Sequence, residues 1–168
     1  MQNDALVASV LPVSTTIATT DPREAELARS AGARFDTKVA VLLRDDLAMW
    51  QQLNVAAFLV SGIVGAVDGI IGKPYEDADG TKYLAMCRQP ITVLEGDSAV
   101  LAASLQRVLD RELHVAVYTE QMFATGNDDD NRAAVRAVPR GHLNLVGLGV
   151  YGTRGAVDKA LKSARLHR

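Results

Sequence analysis

The chain has 168 residues, with 18 Lys plus Arg against 20 Asp plus Glu, and one cysteine. That length suits one domain able to bury roughly 70% of the surface its unfolded form exposes. Hydrophobic and charged fractions of 48% and 23% exclude a disordered chain, a collagen-like repeat and a coiled coil. A net charge of −2 argues against a dedicated nucleic-acid binder. Cys87 has no partner for an internal disulfide, and no apolar run reaches the length needed to span a bilayer, so a cytoplasmic setting without a membrane is expected.

Residues 1–20 are rich in Thr, Ser, Val and Ala. They are not read as a secretory signal, because Asp4 stands where a basic region belongs and Pro12 interrupts the apolar stretch. Asp21-Pro22 has the form of an N-cap followed by proline at the first helical position. It predicts a short helix from Pro22 to Ser30, stopped at Gly32. Residues 1–34 are therefore expected to form an N-terminal extension, and 35–168 the main α/β domain.

Val39 to Leu43 is a continuous apolar run, the pattern of a strand buried on both faces. From Leu47 to about Val67 the pattern predicts a helix that is apolar nearly all round and hence mostly buried. Gly62 and Gly65 thin it where another element approaches. Asp79-Gly80 between Tyr75 and Tyr83 signals a hairpin. Leu84 to Leu94 is predicted strand, with Pro90 marking an edge or a bend. Asp97 or Ser98 caps an amphipathic helix carrying Leu101, Leu105, Val108 and Leu109. Leu113 to Tyr118 is a third strand and Thr119 to Asn127 a loop. Asp128-Asp129-Asp130 precede a short helix from Asn131 to Val138, where the dipole favours acids. Leu143 to Tyr151 is a fourth strand, and a last helix opens at Gly152 or Thr153 and runs through Ala164. The basic residues at its end favour the macrodipole and need no phosphate partner. The alternation predicts a three-layer α/β/α sandwich with a mixed sheet of about four strands.

Several motifs fail on context. Gly147-Leu-Gly149-Val-Tyr-Gly152 spells the dinucleotide fingerprint, but it lies inside a strand near the end of the sequence rather than at the start of a βαβ unit. Its glycines are better read as room for a close neighbour. Gly72-Lys73 lacks the rest of a phosphate-binding loop. Asp77, Asp79 and Gly80 lack calcium-loop spacing. His114, His142 and His167 have no metal-ligand spacing, so neither metal nor cofactor is expected.

What remains is a constellation at strand ends, where open α/β sheets bind ligands. Arg44, Asp45 and Asp46 follow the first strand. Thr119, Glu120, Thr125, Gly126 and Asn127 follow the third. Asn54 interrupts the apolar helix and aligns with Gln51 and Ser61. A buried amide there is either a pocket wall or a structural tie. Asp46 is also a candidate helix cap, and Arg44 a partner for Asp46 or Glu120. The stripe Arg132, Arg136, Arg140 at helical spacing could bind anions, but a solvated face explains it better.

The segment Lys38 to Phe58, KVAVLLRDDLAMWQQLNVAAF, resembles the opening of peptidyl-tRNA hydrolase II, matching its pattern at Arg44, Asp46, Leu47 and Met49. Leu145 to Lys162 resembles that family's closing strand, turn and helix. Residues from about Phe35 to His167 resemble more closely a bacterial family of unknown function. Its marks here are Arg44-Asp-Asp-Leu47, Trp50-Gln-x-Leu-Asn-Val55, Arg88-Gln-Pro90 and Phe123-Ala-Thr-Gly-Asn-Asp128. The resemblance covers about four fifths of the chain. It implies a peptidyl-tRNA hydrolase II-like fold and allows a homodimer. The hydrolase's Gly-Lys is replaced by Gln52-Leu53-Asn54, and its glutamine after Ala-Ala by Phe58. A cation that would bind phosphate or a developing oxyanion is therefore missing.

Three functional readings follow. In the first, a small polar ligand binds at the strand-end loops. Arg44, Asp46, Asn54 and Asn127 hold its polar groups, Thr119 and Thr125 lie in the same loops, and Trp50 and Phe123 form an apolar wall. In the second, the protein hydrolyses aminoacyl or peptidyl esters on tRNA, with Asp46 orienting water and Asn54 donating to the oxyanion. In the third, Trp50 and Phe123 anchor a protein partner.

Overall fold

A computed structural model describes residues 35–167. The helix predicted over 22–30 lies outside them. Val39 to Leu43 lie at the centre of strand β1 (Thr37–Arg44), and all five are buried. Their side chains alternate between two cores. Ala40 and Leu42 pack with Leu101, Leu105, Val108 and Val157, while Val39, Val41 and Leu43 face the opposite layer with Val55, Leu59 and Ile63. A strand sandwiched in this way reads as an unbroken apolar run because neither face meets water.

The remaining elements are α1 (Met49–Ala66), the short strands β2 (Tyr75–Glu76) and β3 (Lys82–Tyr83), β4 (Ile91–Gly96) and α2 (Ser98–Leu109). After them come β5 (His114–Thr119), a 3-10 turn over Glu120–Ala124, α3 (Asp128–Arg136), a second 3-10 turn, β6 (Leu145–Thr153), α4 (Arg154–Ala160) and β7 (Arg165–Leu166). The main sheet has the order β5-β6-β1-β4-β7, and β2–β3 form a separate ribbon. β1 pairs parallel with β4 and antiparallel with β6, which is antiparallel to β5; β7 is antiparallel to β4. β1 and β5 therefore run in the same direction, and the loops after them open at one end of the sheet. Helix α1 covers one face, and α2 with α4 cover the other.

The three-layer expectation holds, and the strand count does not: the sheet has five strands. The extra one is β7, on a segment predicted to sit beyond the last helix. That helix ends at Ala160, not Ala164, and Arg165 leaves it to pair with Glu95 across β4 and with Asp45, both at 2.9 Å. Its charge therefore serves an edge strand rather than a helix dipole. The strand predicted from Leu84 begins only at Ile91, after Pro90, which has no N–H for a ladder. Leu84 itself is exposed.

Helix α1 corrects the expectation most. Of its 18 residues only Val55, Leu59 and Ile63 are buried, one row at four-residue spacing. By length and composition the helix reaches the size of a bilayer span, against the expectation that no segment does. Its buried row packs on the sheet. A Cβ added to Gly147 would lie 2.5 Å from Val55 and 2.8 Å from Leu59, and one on Gly149 would meet the Leu59 carbonyl at 3.0 Å. The β6 glycines thus let the helix backbone settle directly on the sheet, and Gly62 meets Ala116 in the same way. Asp46 does not cap this helix. The N-cap is Ala48, which has no side-chain acceptor, and its N–H is taken by Gln51 Oε1 at 3.0 Å.

Candidate functional site

Two clefts open beside the ends of β1 and β5. One, of about 790 Å³, lies between α1, the 3-10 turn and α3. Its wall is a chain of aromatic rings. Trp50 meets Phe123 edge-on at 5.7 Å, Phe123 meets Tyr118 at 5.2 Å, and Tyr118 meets Phe58 at 5.8 Å. Of the one Trp, four Tyr and three Phe in the chain, half stand here. Trp50, Asn54 and Phe58 follow one another at four-residue spacing along α1, so they form a single row on the flank facing the cleft. Tyr118 comes from the end of β5, and Phe123 from the turn after it.

Polar groups are few. The Tyr118 hydroxyl donates to Asn54 Oδ1 at 3.3 Å, a long bond. Burial pushes the Tyr118 phenol above its ordinary value, so it remains a neutral donor. Asn54 is exposed, which corrects the expectation of a buried amide: its row faces the cleft rather than the core. Arg132 and Arg136 stand at the far rim. Arg132 is paired with Asp128 and Asp129. Arg136 is exposed and has no ion-pair partner among the described residues.

The second cleft, of about 450 Å³, is polar, lined by Arg44, Asp45, Asp46, Asp97, Ser98, Glu120 and Asn144. Arg44 donates to Asp46 at 2.5 Å, to Asn144 at 2.9 Å and to Glu120 at 3.0 Å. Its partial burial works against the charge. The hydrogen bonds and fields of Asp46 and Glu120 outweigh that, holding the guanidinium more firmly protonated than usual.

Residues 37–168 match the family model DUF2000, described as a protein of unknown function. The chain belongs to the DUF2000 family. A solved structure of a protein of unknown function from Agrobacterium tumefaciens strain C58 is 46% identical to it. The match covers 80% of this chain and all of that one, with a TM-score of 0.78. Among curated proteins, none matches the chain.

In this DUF2000 chain the residues singled out from the sequence are divided between the two clefts. Trp50, Asn54, Phe123, Thr125 and Asn127 line the aromatic one, and Arg44 and Asp46 the polar one. Asp46 and Asn54, expected to act together, thus line different cavities. Thr119 lines neither; it is buried, and its hydroxyl has no hydrogen-bond partner among the described residues. Thr125 donates to the Met122 carbonyl at 2.8 Å and lies against the Asn131 amide. Asn127 caps α3, its Oδ1 accepting from the Asp130 N–H at 2.9 Å. The acids Asp128 to Asp130 therefore form the first turn of α3 rather than preceding it.

Phe58, Tyr118 and Arg136 went unselected in the sequence. The row from Trp50 to Phe58 was readable from four-residue spacing. Tyr118 was not, since strand alternation alone does not tell which face carries a cleft. Among the described residues, no three of His, Cys, Asp and Glu gather in a way that would hold a metal ion.

Proposed function

We propose that the protein binds a small amphipathic molecule in the aromatic cleft. Its flat or apolar body lies along Trp50, Phe123 and Phe58. Its polar atoms meet the Asn54 amide and the Tyr118 hydroxyl, and an anionic group meets Arg136. The observation that carries this reading is the aromatic wall joined to the long Tyr118–Asn54 hydrogen bond. An exposed row of rings provides apolar contact, and a weak internal hydrogen bond is readily exchanged for one to a ligand. A peptidyl-tRNA hydrolase II-like fold and a cytoplasmic setting belong to the same proposal. The first is supported by the resemblance over Lys38 to Phe58, the second by the lone Cys87.

Ester hydrolysis on tRNA has weaker support. The polar cleft sets four carboxylates, Asp45, Asp46, Asp97 and Glu120, around a single Arg44, three of whose five N–H donors are taken. Such a surface repels phosphate. Lys38, in β1, is paired with Asp158 at 2.7 Å.

The test is a thermal-shift screen of aromatic and aliphatic carboxylates against their uncharged amides. A ligand present at a hundred times its Kd stabilises by about 2.7 kcal/mol, and the shift should vanish in Trp50→Ala and shrink in Asn54→Ala and Arg136→Ala. A screen without hits, or a shift unchanged in Trp50→Ala, overturns the reading.

A further inference from the structure

We infer that the protein has a second binding site, for a short-chain carboxylate, in a cleft beside Arg88 and Gln89. Neither the aromatic nor the polar cleft uses the string Arg88-Gln89-Pro90. A third cleft, of about 150 Å³, does. Phe35, Ile70 and Tyr151 form its apolar walls, and Thr37, Arg88 and Gln89 bring its polar groups. Thr37 opens β1 and Arg44 closes it, so this cleft lies at the opposite end of the sheet from the other two, roughly 20 Å away by strand rise.

The chain beyond α1 builds the site. Gly69 takes the left-handed conformation, at φ 70°, and turns the chain toward Ile70. Residues 70–72 then run beside 86–88. The Arg88 N–H donates to the Ile70 carbonyl at 3.0 Å, and the Gly72 N–H to the Met86 carbonyl at 2.9 Å. After the bridge between Ile71 and Cys87 the chain bends at Arg88 and Gln89 before β4 begins. The bend leaves Arg88 outside and turns Gln89 inward, where it is only 7% exposed.

Gln89 carries the argument. Its Oε1 accepts from the Thr37 hydroxyl at 2.9 Å, which fixes the amide. Its Nε2 is buried and has no hydrogen-bond partner among the described residues. A buried N–H ordinarily has an acceptor, and a ligand oxygen in this cleft is the acceptor it lacks. Arg88 lines the same cleft and has no ion-pair partner among the described residues. The acids nearest in sequence, Asp36 and Asp68, are exposed, and neither lines the cleft. One guanidinium and one amide N–H₂ call for a ligand that accepts without donating and carries negative charge. A carboxylate does both, and its hydrogen bonds to such donors are charge-assisted. The volume is about five times the ~30 Å³ that a water takes in the liquid, so the chain behind the carboxylate is short.

The test is a nuclear magnetic resonance titration of the isotope-labelled full chain with sodium propionate, followed at the Gln89 side-chain amide. That signal is assigned by its absence in Gln89→Met. Propionate should move it downfield and saturate, whereas propionamide and sodium chloride should leave it in place. Arg88→Gln, a change at an exposed position, should weaken binding roughly tenfold or more. Trp50→Ala should leave binding unchanged, which separates this site from the aromatic cleft. An amide signal that propionate does not move, at concentrations that saturate a millimolar site, overturns the inference. So does an equal response to propionamide, or propionate binding that Arg88→Gln leaves unaffected. A response to propylammonium in place of propionate overturns it as well, since Gln89 would then present its oxygen to the cleft. Loss of binding in Trp50→Ala would assign the carboxylate to the aromatic cleft instead.

Discussion

Gly147 and Gly149 are conspicuous in the sequence for a fingerprint they do not serve. Their role is steric: Gly147 holds open the space for Val55 and Leu59, and Gly149 the space for Leu59 and Ile63. Gly147→Ala is expected to destabilise by about 1–3 kcal/mol through overpacking, seen as a lower urea midpoint. Gly155→Ala, in α4 with nothing within 4 Å, should leave the midpoint unchanged or raise it slightly. Asp77 shows how a motif rejected for calcium acts instead. Its carboxylate accepts from the Tyr83 hydroxyl at 2.7 Å and from the Asp79 and Thr81 amides, so its pKa is lowered, first by Tyr83 and then by the backbone donors. A lowered folded value means the contribution is complete above the ordinary 3.8 and is lost as pH falls through the folded value. Amide exchange of Thr81 should therefore be slow at pH 5 and accelerate at the acid end of a titration. Constant protection relative to the intrinsic rate would contradict this.

Helix α1 is one element with three destinations: a row against the sheet, a row along the cleft and a row facing outward. Leucines report the difference. Leu59 is 1% exposed, and Leu59→Ala should cost about 2–5 kcal/mol in urea unfolding. Leu84, at 89% exposed, should cost almost nothing when replaced by Ala. The edge strand β7 shows the opposite imbalance. Arg165 makes two ion pairs, yet it is largely solvated, so Arg165→Ala should leave the urea midpoint almost unchanged.

Stability across the molecule should follow the sheet. β1 is flanked by β6 and β4 and covered on both faces, whereas the β2–β3 ribbon is separate and exposed. Hydrogen exchange should be slowest in β1 and β6 and fastest in the ribbon. Equal protection in the two would contradict this. The charge distribution points the same way as the cleft chemistry. Acids surround Arg44, and Lys38 is paired. Filter binding should then show only weak, salt-sensitive affinity for tRNA.

The apolar run Val39–Leu43, the amphipathic spacing of Leu101 to Leu109 and the Asp79-Gly80 turn each specify their element locally, so these elements and the layer order were readable from the amino-acid sequence, whereas the edge strand β7 was not. The polar residues at the ends of β1 and β5 were equally visible, because ligand sites of α/β sheets follow chain direction. Tertiary structure alone decided which side of α1 is covered. A helix apolar all round offers no periodicity to distinguish its faces, and only the glycines of β6, distant in sequence, draw the Val55–Leu59–Ile63 row inward. That choice leaves Asn54 solvated and separates it from Asp46. It also turns Trp50 toward Phe123. Pairing across such distances depends on where the sheet places the chain, and residue spacing within one segment does not encode it.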